Sequence, residues 1–254
     1  MIRMLLNGDR LPQALSPDWA AAYIRMRVAA YGVDKPFSTV YVDENGCCLS
    51  ILDGNGVMAG NVPQDAAEWA AFLNGLADLK TLLAPETLLR SVLPFENGKT
   101  AALSVMRYTG NFETPSDAVL LSSPRAVHPL LCAAFGEDDI PPFDSFYVDT
   151  AYRLRHGMCH IAAIEGESSA LLSAAMTVAE TQDAAVIGAV ATLPQHRKKG
   201  YAAMCLQALI QTLRAEQPGR AVYILPKDVS LQRFYENSGF SVVSTALYCR
   251  KKGF

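Results

Sequence analysis

The chain has 254 residues, 50% of them hydrophobic and 19% charged, with 22 Lys plus Arg against 25 Asp plus Glu and a formal net charge of −3. Such a composition excludes disorder as a general description and supplies enough apolar side chains for one large domain or two small ones. It lacks the basic excess that binding to a phosphate backbone requires, so nucleic acid is not an expected partner.

The short apolar patch at the start ends at Asn7-Gly8-Asp9-Arg10, before a signal-peptide core of about 7–15 apolar residues can form. Mainly apolar stretches such as residues 170–179 fall short of the ~20 residues that a membrane-spanning helix needs. The expected location is cytoplasmic, with no membrane partner. The six cysteines, Cys47, Cys48, Cys132, Cys159, Cys205 and Cys249, are scattered and read as reduced, buried small hydrophobes. His156, Cys159 and His160 lie close in sequence, but Gly157 interrupts any helix that would align the histidines and no CxxC pair is present, so no metal is expected.

In the first half, Asn45-Gly46 and Asp53-Gly54-Asn55-Gly56 are turn signals between apolar runs, which predicts a three-stranded meander over residues 38–44, 47–52 and 57–62. Ala66, Trp69, Ala70, Leu73 and Leu76 at helical spacing, with Asp65 and Glu68 at the start, predict a helix over 65–77. A strand over 79–84, a short helix over 85–93 with Pro85 first, and a strand over 100–108 follow. The polar stretch 109–117 (TGNFETPSD) is the best linker, and the domain boundary is placed there, giving domains 1–112 and 113–254.

Beyond it the pattern predicts a strand at 118–121, helices at 124–135 and 144–155, and a hairpin of strands 159–164 and 170–180. Residues 184–192 are almost uninterruptedly apolar, as in a strand buried on both faces of a sheet. They lead through Leu193-Pro194-Gln195-His196-Arg197-Lys198-Lys199-Gly200 into a helix over 201–216, whose buried face is Ala202, Leu206, Leu209, Ile210 and Leu213. A strand at 221–225, a short helix at 230–237 and a last strand at 240–250 complete an α/β order.

A loop between a buried strand and a helix, carrying Arg197, Lys198 and Lys199 and ending in Gly200, is physically an anion site, because the first helical N–H groups are unpaired and the helix dipole is positive there. The run from Val190 to Ala202, strand, Thr-x-Pro, basic loop and R-x-x-G-x-A, resembles the acetyl-CoA pyrophosphate loop of the GCN5-related N-acetyltransferase (GNAT) family. The resemblance covers roughly residues 117–254 and includes a second element, Asp228 to Phe240, which keeps Phe234, Tyr235, Gly239 and Phe240 but has Asp228 and Leu231 where the family usually has Asn and Ala. It implies a mixed, mostly antiparallel sheet with flanking helices.

The same resemblance implies a set of roles. Backbone groups of Val190 and Thr192 would pair with pantetheine amides, and a backbone N–H of Val190 or Ala191 would polarise the thioester carbonyl. Amides of Arg197, Lys198, Lys199, Gly200, Tyr201 and Ala202 would cradle the pyrophosphate. Tyr235 would protonate the departing thiolate, the alternative being a packing role beside Phe234. Glu180, at the end of the strand before the central one, is the best-placed carboxylate for a general base, with a water chain, another residue or the Phe254 carboxylate also open.

The implied activity is transfer of an acetyl group from acetyl-CoA to a primary amine, on a small molecule or a protein, by direct attack in a monomer or homodimer. An acyl-CoA-binding regulatory protein with little catalysis, or transfer of a longer acyl group, stays open beside it. Asn97-Gly98-Lys99-Thr100 ends like a P-loop, but Leu93 stands at its first glycine and a strand follows instead of a helix. Finally, residues 38–108 and 158–250 share one order of elements, so the first half is expected to be a degenerate GNAT-like or accessory unit. It lacks a counterpart of Arg197 to Ala202, because its strand-to-helix turn is short and acidic.

Overall fold

Asp53 and Gly54, with φ of 49° and 81°, form a two-residue turn between strands Cys48–Leu52 and Asn55–Ala59. Positive φ at both central positions is the turn type whose twist suits a hairpin. Gly54 has a second reason to be glycine, since a Cβ there would sit 2.6 Å from the Asp78 carbonyl oxygen. The turn needs only these two residues, so the second strand of the hairpin starts at Asn55 instead of 57. The computed structural model describes residues 1–13, 15–92, 98–111, 116–167 and 170–251. The expected boundary at 112/113, Leu93 and Asn97 of the P-loop comparison, and Phe254 lie outside them.

The first half is built from β1 (Arg3–Met4), α1 (Trp19–Tyr31), β2 (Asp34–Lys35), β3 (Ser38–Val42), β4 (Cys48–Leu52), β5 (Asn55–Ala59), α2 (Ala66–Gly75), β6 (Thr81–Pro85), α3 (Glu86–Val92) and β7 (Lys99–Tyr108). The second half has β8 (Val119–Leu120), α4 (Val127–Phe135), α5 (Phe143–Arg155), β9 (Ile161–Glu165), β10 (Leu171–Glu180), β11 (Ala184–Thr192), α6 (Tyr201–Glu216), β12 (Ala221–Ile224), α7 (Val229–Asn237) and β13 (Phe240–Arg250). β5–β6 and β11–β12 are parallel, while β3–β4, β4–β5, β8–β9, β9–β10, β10–β11 and β6–β13 are antiparallel. A mixed, mostly antiparallel α/β architecture results, and β3-β4-β5-α2-β6-α3-β7 repeats in order as β9-β10-β11-α6-β12-α7-β13.

Compactness divides the chain into two units. One comprises Met1–Met106, Leu225–Gln232 and the C-terminal segment from Val242; the other comprises Arg107–Ile224 and Arg233–Ser241. The chain thus leaves the first unit within β7, and most of its last strand returns there. In the first unit the strand order is β1-β3-β4-β5-β6-β13, with Ala246 opposite Pro85 and Arg250 opposite Thr81. Leu247 and Cys249 of β13 join Trp69, Leu73, Leu82 and Leu89 in its apolar core.

α1 has no counterpart in the sequence-based elements. Asp18 caps it by accepting from the Ala21 N–H at 2.9 Å. Trp19, Ala20, Ala21, Ala22, Ile24, Met26 and Arg27 are all buried, so the helix shows no polar stripe to set its period. Arg27 is held by the carbonyls of Ser50 (3.1 Å) and Asn55 (2.9 Å), and burial lowers its pKa to about 10.

In the second unit the order is β12-β11-β10-β9-β8, with β11 flanked on both sides as its apolar sequence predicts. α4 packs on the face carrying Leu171, Ala174, Met176 and Ala191. α6 packs on β9, β10 and β11 through Cys205, Leu206, Ala208, Leu209, Ile210 and Leu213, while Ala202 is only half-buried.

Candidate functional site

β11 and β12 are paired from Ala184–Ala221 to Ile187–Ile224 and no further, although β11 runs on to Thr192. On its other side Met176 faces Gly188 and Ala174 faces Ala191, so Ala175 stands opposite both Ala189 and Val190. That extra residue is a β-bulge, and Ala189 takes φ 49° in it. An L-residue there costs roughly 1–2 kcal/mol, strain of the kind that collects at functional sites.

The Leu193 N–H donates to the Leu172 carbonyl at 2.9 Å, which makes Ser173–Thr192 a wide pair of the antiparallel ladder. The N–H and C=O of Thr192 therefore turn away from β10, to the side where β12 pairing has ended. Val190, two positions back, shares that side. Ala191 is turned the other way: its carbonyl accepts from the Ser173 hydroxyl at 2.9 Å. Of the two expected donors toward a thioester carbonyl, Val190 faces the opening and Ala191 does not.

The loop after Thr192 makes a 3-10 turn at Pro194–His196 and then passes through Lys198 (φ 63°) to Gly200 (φ 84°, ψ −7°). Gly200 is the residue before α6, and no described side chain caps the helix there. The helix ladder opens with the Met204 N–H on the Gly200 carbonyl at 3.1 Å, so the earlier amides of the first turn are outside it. A Cβ on Gly200 would meet nothing within 4 Å, so the fold itself needs its left-handed conformation and not its small size. Arg197 bends back, with Nε on the Thr192 carbonyl at 3.3 Å and Nη2 on the Ala134 carbonyl of α4 at 3.4 Å. It braces the loop, and the exposed Lys198 and Lys199 carry the outward charge. Tyr201 and Ala202, half-buried, begin the helix.

Tyr235 is 6% exposed in α7, in edge contact with Phe234 (ring centroids 5.1 Å) and Phe240 (5.9 Å). Phe240 in turn meets Tyr108 at 5.3 Å. Asp228 precedes α7 and accepts from the Leu231 N–H at 2.9 Å and the Ser230 hydroxyl at 2.7 Å, and the Ser230 bond chiefly lowers its pKa. An Asp at the family's Asn position can thus still cap the helix.

Glu180 lies at the opposite end of β11 from the loop, across from Ala185. Its side chain is 1% exposed and accepts from the Thr177 hydroxyl at 2.9 Å, from Arg220 Nη1 at 2.9 Å and from His160 Nδ1 at 3.1 Å. His160 Nε2 meets Glu216 at 3.0 Å, and Arg220 reaches Glu216 at 3.3 Å. His160 has a carboxylate on each ring nitrogen, and the Glu180 bond raises its pKa against the opposing effect of burial. Among the described residues, His160, Glu180 and Glu216 have the spacing of a metal site, with ligand atoms within 4.8 Å. Arg220 already supplies a cation between the two carboxylates. Sequence reasoning missed this network because its members are far apart in the chain.

The first unit is built differently at the corresponding point. Its β4–β5 ladder runs without a shift from Cys48–Ala59 to Leu52–Asn55, with no bulge. Its equivalent helix, α2, is capped by Asp65, which accepts from the Glu68 N–H at 2.8 Å, and Glu68 sits in the first turn. A carboxylate of the chain thus occupies the place an anion would take.

Residues 125–240 match the model of the Acetyltransferase (GNAT) family. A search of curated proteins returns no match. Among solved structures, the chain is similar to a GCN5-related N-acetyltransferase from Kribbella flavida, at 16% identity and TM-score 0.62 over 96% of this chain and 98% of that one. It is similar to a putative GNAT acetyltransferase from Novosphingobium aromaticivorans, at 22% identity and TM-score 0.57 over 83% and 90%. A tandem GNAT protein of the clavulanic acid biosynthesis pathway matches at 12% identity and TM-score 0.57 over 90% and 86%. These identities speak for the fold, and the family match supports acyl transfer as the chemistry. No described helix is long and apolar enough to cross a membrane. The second half of the chain, over residues 125–240, is a domain of the GNAT acetyltransferase family.

Proposed function

We propose that the protein transfers an acetyl group from acetyl-CoA to a primary amine, with the cofactor on the second unit. The observation that carries this reading is the end of β11–β12 pairing at Ile187–Ile224, followed by a strand that leads into the uncapped, left-handed start of α6. Backbone groups of Val190 and Thr192, free of β12, suit pairing with the amides of a pantetheine arm. The first-turn amides from Lys199 to Ala202, with Lys198 and Lys199 beside them, suit a pyrophosphate. Acetyl-CoA supplies an activated thioester. The chain's part is to orient it, to offer the Val190 N–H to its carbonyl, and to hold Tyr235 as the proton donor to the thiolate. Glu180 is not assigned as the base, because its carboxylate is fully engaged at the other end of the strand. The acceptor is an amine of a small molecule or a protein, and the protein acts as a monomer or homodimer in the cytoplasm.

Calorimetric titration with acetyl-CoA tests this. Wild type should bind one equivalent and Gly200→Glu none, since the substitution adds strain and a negative charge at the anion site; wild type without binding would sink the proposal. Tyr235→Phe should bind acetyl-CoA normally and lose about a hundredfold in turnover with an amine. Binding without thioester consumption across a broad amine panel would favour an acyl-CoA-binding protein.

A further inference from the structure

Ser173 is fully buried in β10 opposite Thr192, and its single hydroxyl meets two other elements. It donates to the Ala191 carbonyl at 2.9 Å. The same hydroxyl meets the Thr192 hydroxyl at 2.8 Å and is hydrogen-bonded to the Cys205 thiol of α6. Cys205 is itself buried, and desolvation pushes its pKa up to about 11. One hydroxyl thus ties β10, the free end of β11 and the first turns of α6, which are the strand and the helix between which the anion loop is strung.

The bulge at Ala189–Val190 makes such a tie necessary. Beyond Ile187 the strand has lost β12, and within the β10 ladder it has one residue too many. A strand held on one side only, next to a bulge, is prone to slip, and a slip of one residue would turn Val190 and Thr192 away from the opening. We propose that Ser173 is a positioning residue for the cofactor: it fixes the register of Ala191–Thr192 against β10 and α6, and so aims the Val190 and Thr192 amides into the split. This rests on the acetyl-CoA reading above. The regular β4–β5 ladder of the first unit has no bulge to hold, and there Ser50, also fully buried, has no hydrogen-bond partner for its hydroxyl among the described residues.

The test is Ser173→Ala, read in two ways. Hydrogen exchange of the cofactor-free protein reports on the strand itself through the Leu193 amide, which is bonded to Leu172 at 2.9 Å. Loss of one buried hydroxyl tie should speed its exchange about five- to tenfold, with exchange in β4–β5 unchanged. Calorimetry should show acetyl-CoA bound about five- to tenfold more weakly, and Ser173→Thr, which keeps a hydroxyl, should recover part of both effects. Unchanged Leu193 exchange overturns the proposal, as does faster exchange with unaltered affinity. If wild type fails to bind acetyl-CoA, the functional reading falls, and the exchange experiment still decides whether Ser173 fixes the strand.

Discussion

Replacing Glu180 by Gln keeps the side chain's shape and an acceptor oxygen but removes a charge from a site 1% exposed. Arg220, 7% exposed, and the half-buried His160 are left with Glu216, which is 43% exposed. Breaking a buried ion pair by removing one partner costs about 3–5 kcal/mol, and the retained hydrogen bonds to Thr177 and Arg220 put this case near 3. For a chain of this size that is a fall of roughly 6–12 °C in the thermal midpoint, or an equivalent shift in a denaturant titration. Adding Arg220→Met should return part of the loss, since His160 and Glu216 then balance each other. Thioester consumption with a reactive amine, measured well below the midpoint, should stay within about twofold of wild type, whereas removal of a general base costs about 10²–10⁴. A variant of wild-type stability with a hundredfold lower rate would refute the structural role of Glu180 and restore it as the base.

Two further outcomes follow from the same geometry. Because the Glu180 bond raises the folded-state pKa of His160, the stability from this cation is fully present below the ordinary histidine value, about 6.5, and is lost as pH rises through the raised value. Denaturant midpoints measured from about pH 6 to 9 should show this loss in wild type, and the loss should move to lower pH in Glu180→Gln, where Glu216 and Arg220 remain around the ring; coincident profiles would count against it. Leu247→Ala removes a side chain 6% exposed in the core of the first unit and should cost about 2–5 kcal/mol. Hydrogen exchange should place that loss in β4–β6 and leave β10–β11 protected, and the reverse pattern would contradict the assignment of β13 to the first unit.

Much of this fold is written locally. The central strand 184–192 and the helix 201–216 follow from apolar continuity and period, and the turn into that helix from Gly200. What is not written locally depends on partners distant in the chain. The bulge has no glycine of its own, since Ala189 carries the positive φ beside Gly188, so no residue type announces it. α1 hides its period because nearly every face is covered, and only Asp18 marks its start. Glu180 looks like a free carboxylate at a strand end until Arg220 and His160 arrive from other elements. The return of β13 to the first unit is invisible for another reason: its sequence would suit either sheet, and its pairing with Thr81–Pro85 and the place of Leu247 and Cys249 in the core of Trp69 decide.

That return sets a timetable for synthesis. When Thr81–Pro85 has been made, the strand that pairs with it, Ala246–Arg250, has not yet been synthesised. At about 5–20 residues per second, β6 waits roughly 8–30 s with one edge open. Through that interval the N-terminal unit is a nascent sheet missing its last strand and part of its apolar core, while the sequence of the acyl-transfer unit is being threaded out behind it. The first unit is thus the one whose sheet is completed only after the second unit's strands β8–β12 have been made.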